Sequence, residues 1–173
     1  MFAESINGSV YGVLVGVIAG GIITTGATLF LENRKEKKTA SALAHAFRGE
    51  LKALQAIVRK RRYVEGLRNV VTHVQSSHQP YDFVIRVSHE YFNVFRSNID
   101  KIGTLKNPLP ERIAEFYVTA NSILEDLKLI AEGLLKGTTA EGYLEFYSSL
   151  LQLFEEAMNN ASEIVSIIDE EYP

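Results

Sequence analysis

The sequence predicts an all-α protein: one N-terminal transmembrane helix followed by a cytoplasmic bundle of four to five helices. Three observations lead there. Residues 5–31, bounded by Glu4 and Glu32, carry no charge over 27 positions. Apolar residues recur at steps of three and four through most of the remaining chain, which is the period of an amphipathic helix. The one run rich in β-branched residues, 83–87, would find no partner strand in an otherwise helical chain, so helix or irregular packing is expected there. The boundary follows the uncharged run, with a short external N-terminus and membrane helix over 1–33 and a helical domain over 34–173.

A bilayer core roughly 30 Å thick takes about 20 apolar residues of helix, so 5–31 can span it with some tilt. Residues 1–8 hold no Lys or Arg, which a secretory signal would need, and a permanent anchor is expected. Arg34, Lys35, Lys37 and Lys38 follow at once. Cations flanking a span stay in the cytoplasm, which leaves the N-terminus outside a bacterial inner membrane and the bulk of the chain inside. Gly8, Gly12, Gly16, Gly20, Thr24 and Thr28 fall at every fourth position and make one ridge of small residues. In lipid, helices associate by close backbone contact, which such ridges permit. Each Gly costs roughly 1 kcal/mol relative to Ala in a helix, a cost that packing against another copy would offset. Membrane lipid and a homo-oligomer are the partners this segment implies.

Beyond the span, Leu43, Phe47, Leu51, Leu54 and Val58 mark one apolar face of a helix running to about Arg62. Gly66 is expected to break or bend it, with Leu67, Val70, Val71 and Val74 continuing the pattern and residues 75–81 forming a loop. Tyr91, Phe92, Phe95, Ile99 and Ile102 form a further face ended by Gly103. Asn107 and Pro108 stop that helix, and Pro110 fits the first turn of the next. A long helix from Ile113 to Leu134 and a last one from Ala140 to Asp169 follow, joined through Gly137 and a capping Thr138 or Thr139. The last helix is expected to bury Leu144, Tyr147, Leu151, Phe154, Met158, Ala161, Val165 and Ile168. The short connection makes an antiparallel terminal hairpin.

Charge is divided along the chain. Residues 34–106 hold 15 Lys/Arg against 6 Asp/Glu, and residues 107–173 hold 3 against 13. Either the halves pack together and neutralise each other, or the basic half also binds an anionic ligand. The run Arg59-Lys60-Arg61-Arg62 concentrates that charge, though consecutive helical positions point about 100° apart and cannot all face one way. Two of its cations together with Tyr63 would make an anion site. Arg48, Arg59, Arg61, Arg62 and Lys101 are the candidate ligand contacts, and Tyr63 and Tyr91 could stack on bases.

Chemistry is not encoded in any recognisable set. The chain has no Cys, so no thiolate metal site or disulfide is possible. His45, His73, His78 and His89 form no ligand pair, and no metal or other cofactor is expected. No nucleophile elbow or phosphate-binding Gly loop is present, no catalytic residues are assigned, and DNA is not an expected partner.

The segments 46–51 (Ala-Phe-Arg-Gly-Glu-Leu), 92–105 and 113–117 (Ile-Ala-Glu-Phe-Tyr) are patterned like those of short single-pass bacterial inner-membrane proteins with a helical cytoplasmic domain, which the chain resembles over 46–130. That resemblance implies architecture and no activity. In layout alone the chain is similar to CRISPR-associated and other antiphage membrane effectors that sense cyclic oligoadenylate, and Arg recognises compact phosphates of that kind bidentately. The expected function is a non-enzymatic, self-associating membrane sensor or effector that binds an anionic ligand, a cyclic oligonucleotide among the candidates. A constitutive scaffold recruiting a protein partner and a holin-like pore former are the alternatives.

Overall fold

The computed structural model describes residues 4–81, 83–85, 91–133 and 135–173, with side chains from residue 31 onward. Among these residues, five α-helices and one 3-10 helix follow in the order α1 (Glu4–Lys60), α2 (Tyr63–Ser77), α3 (Asn93–Asn98), the 3-10 helix (Ile99–Thr104), α4 (Leu109–Ala131) and α5 (Ala140–Glu171). Among the described residues the protein is all-helical, and 83–85 pack irregularly.

The chain divides into two compact units, residues 1–40 and 41–173. The first is the N-terminal part of α1, in which residues 31–39 are exposed and the Thr39 hydroxyl donates to the Lys35 carbonyl at 3.0 Å. Among the described residues no helix is long and apolar enough to cross a membrane. The run predicted to span, with Gly8, Gly12, Gly16, Gly20, Thr24 and Thr28, has a helical backbone, but its side chains up to residue 30 lie outside the described residues.

The second unit is organised around α5. Tyr143, Tyr147, Leu150, Phe154, Ala157, Ala161, Ile164 and Ile168 are buried at alternating steps of four and three. On α4, Leu109, Ile113, Phe116, Ala120, Ile123, Leu127 and Ile130 keep the same rhythm. Two seams of that period interlock as knobs into holes. The helices are antiparallel, since Arg112 near the start of α4 lies 3.7 Å from Glu163 near the end of α5. Thr139 caps α5, its hydroxyl accepting from the Gly142 amide at 3.3 Å. Gly137 takes the positive φ of 80° that turns the chain between them.

On the other side of α5, α1 and α2 follow one another along its length. Arg48 pairs with Asp169, and the Gln55 amide donates to Ser162 Oγ at 2.8 Å. Tyr63 then meets Phe154, Arg68 reaches Glu155 at 2.6 Å, and the Tyr147 hydroxyl holds both the amide and the carbonyl of Phe83. The break between α1 and α2 comes at Arg62, whose φ of 55° is left-handed. Gly66, expected to be the breaker, lies inside α2 because the Phe83 ring presses against it, and a Cβ there would sit 2.3 Å from Phe83 Cζ.

The divided charge is largely met within the fold. Arg48, Lys52, Arg68 and Lys106 from the basic half all pair with carboxylates of α5. A buried polar centre also forms around Glu50. Its carboxylate accepts from the Tyr117 hydroxyl and from the amides of Val94 and Phe95, at 2.7 and 3.3 Å for the two amides. Those bonds fix the entry to α3, whose Phe95 stacks on Tyr117 at 4.0 Å between ring centroids. Burial, and then the bond to Glu50, push the Tyr117 hydroxyl far above the usual phenol range.

Candidate functional site

Where α1 gives way to α2, the apolar face of α1 is not fully covered. Leu43, Phe47 and Leu51 are buried, whereas Leu54 and Val58 further along the same stripe are half-buried. They look into a pocket of about 90 Å³ that opens to solvent. Ile123, Leu124 and Leu127 of α4 form its far wall, and Phe154 and Met158 of α5 its floor. Tyr63 and Tyr91 stand at its sides, and its walls are wholly apolar. The left-handed turn at Arg62 separates α1 from α2 and leaves this wedge between them and α4.

The cationic run sits at the same corner. Arg61 is exposed, and its Nη1 donates to the Tyr63 hydroxyl at 2.9 Å. That hydrogen bond, with the charge interaction to Tyr63 and then Tyr91, holds the guanidinium above its ordinary value. Arg59 turns its Nε to the Gln55 carbonyl at 3.3 Å, and Arg62 pairs with Glu65 on the first turn of α2. Among the described residues no carboxylate lies within ion-pair distance of Arg59, Lys60 or Arg61. A guanidinium carries five N–H donors, so Arg59 and Arg61, each using one on a neutral oxygen, keep donors for an anion.

Arg59, Arg61 and Arg62 therefore share one corner, next to the pocket that Tyr63 and Tyr91 line. Arg48 does not join them. It lies 11 residues earlier on α1, about 16 Å along the axis, and its guanidinium is engaged by Asp169. Lys101 is exposed on the 3-10 helix, which packs on the start of α4 and leads to Lys106 at the C-terminal end of α5. The pocket itself was not expected, because Leu54, Val58 and Met158 read in the sequence as ordinary core positions. The signal that could have found it is the coincidence of a helix break with four consecutive cations.

A second hollow lies at Gly66, Asn69, His73, Tyr81 and Phe83, where the His73 and Tyr81 rings are 5.1 Å apart between centroids. Among the described residues no carboxylate or second imidazole lines it, and no cluster of metal-ligating side chains occurs. Compared with protein-family models, curated proteins and solved structures, the chain matches none. The corner itself is what defines a class for this domain: a helical module with a small apolar pocket, one wall of which, Tyr63, is hydrogen-bonded to an arginine with no carboxylate partner among the described residues.

Proposed function

We propose that the chain is a membrane-anchored, self-associating, non-enzymatic sensor or effector whose helical domain takes up an anionic ligand at the α1–α2 corner. The observation that carries this reading is Arg61, which has no carboxylate partner among the described residues and is hydrogen-bonded to Tyr63, a wall of the apolar pocket. The uncharged run 5–31 anchors the chain, and its Gly and Thr ridge brings copies together. Ligand binding changes the assembly only if it favours one packing of the copies over another, and the kink at Arg62 is where the pocket and the long helix α1 meet. Cyclic oligonucleotides of antiphage signalling are one candidate class, since their phosphates suit Arg59 and Arg61. The pairing of Arg48, Arg68 and Lys106 with α5 weighs against the scaffold alternative, because it engages Asp169, Glu155 and Glu171 of the acidic helix that a protein partner would need.

The test is thermal unfolding of the full chain in nanodiscs of zwitterionic lipid, with linear and cyclic oligoadenylates, phosphate monoesters and fatty acids. A compound at a hundred times its dissociation constant adds about 2.7 kcal/mol to the folded state. A shift in the wild type that disappears in Arg61→Glu supports the reading. A chain that no anion stabilises, or that responds equally in both forms, contradicts it.

A further inference from the structure

Resting on that proposed function, we infer that the ligand is an anionic amphiphile: a single acyl chain in the pocket, with its carboxylate or phosphate head against Arg61. The pocket decides the tail. Its walls offer no polar group, so a purine placed in it would leave its ring nitrogens without hydrogen-bond partners, which is costly in an apolar site. Size points the same way. An apolar cavity of about 150 Å³ accommodates benzene, and this one is about 90 Å³. It takes only the last few carbons of a slender chain and not two fused rings. Leu54, Val58, Phe154 and Met158 offer such a chain the soft, apolar contact it needs, and Met adapts to an irregular chain better than most side chains.

The rim decides the head. Arg61 is hydrogen-bonded to Tyr63, which lines the pocket together with Tyr91, so an anion bound by its guanidinium brings its tail to the pocket. Arg59 lies two residues away and has no carboxylate partner among the described residues. A neutral lipid would gain the tail contact and lose the head contact. A free phosphate or an oligonucleotide would do the reverse. A free fatty acid and a single chain of a membrane lipid share the required chemistry.

The experiment is photo-crosslinking of the full chain, in nanodiscs of zwitterionic lipid, with a fatty acid carrying a diazirine near its tail, and mapping of the label by mass spectrometry. The expected result is saturable labelling at the pocket, on residues such as Leu54, Val58 or Met158. It should be about tenfold weaker in Arg61→Glu, the scale of losing one charged hydrogen-bond donor. Laurate should compete and lauryl alcohol should not. Competition by anionic lipid added to the disc identifies the membrane as the source, and competition by soluble laurate alone identifies a free acid; either supports the inference. Labelling scattered outside the pocket, or indifferent to Arg61→Glu, overturns it. If oligoadenylate still stabilises the chain through Arg61 in that case, the acyl tail alone is wrong. If no anion stabilises it, the proposed function falls as well.

Discussion

Arg61 Nη1 lies 2.9 Å from the Tyr63 hydroxyl, and that bond ties an exposed residue of the cationic run to a ring that walls the pocket. It is a bond between neighbours two positions apart across a helix break, so it orients Arg61 without cementing the fold. Tyr63→Phe should therefore leave the stability within about 0.5 kcal/mol, as for other exposed polar changes. It should weaken an anionic ligand severalfold by freeing the guanidinium. Parallel titration of both forms with the stabilising compound checks this, and equal affinities would remove Tyr63 from the site.

The centre at Glu50 makes the opposite prediction. Tyr117→Phe removes a buried donor from a carboxylate and should cost about 1–3 kcal/mol in denaturant unfolding, with ligand affinity unchanged. It also has a pH signature. The folded Tyr117 holds its proton more tightly than an unfolded tyrosine, which titrates near 10. The stability from the neutral phenol is thus complete below about pH 10 and is lost as the pH climbs beyond it. Tyr117→Phe should flatten that alkaline decline.

At Gly66 two effects compete. Ala gains roughly 1 kcal/mol over Gly in a helix, but its Cβ would meet the Phe83 ring, whose backbone Tyr147 holds from both sides. Overpacking of this kind costs about 1–3 kcal/mol, so Gly66→Ala should be destabilising on balance. Gly66→Ala with Phe83→Leu should recover most of the loss. A single substitution that stabilises would show that Phe83 yields freely.

Gly16→Leu addresses the anchor. It keeps the run uncharged while placing a bulky side chain in the middle of the ridge of small residues. Detergent-extracted protein should then run as a smaller species than wild type on size-exclusion chromatography. An unchanged size would move self-association to the helical domain.

Much of the fold was legible because it rests on helix periodicity and strong stop signals. Pro108 and Pro110 mark the start of α4, Gly137 and Thr139 the turn into α5, and both helices run close to their expected limits. The face of α5 was read one step out of register at four places. Tyr143, Leu150, Ala157 and Ile164 are buried where Leu144, Leu151, Met158 and Val165 were expected, and the latter four are half-buried. Both sets satisfy steps of three and four, and only the partners on α4, α1 and α2 choose between them. The site was half legible. Four adjacent cations are visible in any reading, but which candidate cations are engaged depends on the fold: Arg62 meets the nearby Glu65, whereas Arg48 meets Asp169, more than a hundred residues away. The pocket depends on a left-handed turn at Arg62, a residue type that gives no warning of one.

Met158 offers a view into the pocket, for the chain has only two methionines, Met1 and Met158. With methyl-labelled methionine, NMR of the full chain in nanodiscs reports the Met158 methyl on the pocket floor and the Met1 methyl as an internal reference. Titration with laurate should shift the Met158 signal saturably and leave Met1 in place, and Arg61→Glu should abolish the shift. A Met158 signal that stays fixed under laurate, oligoadenylate and phosphate esters alike would contradict a ligand site at this corner.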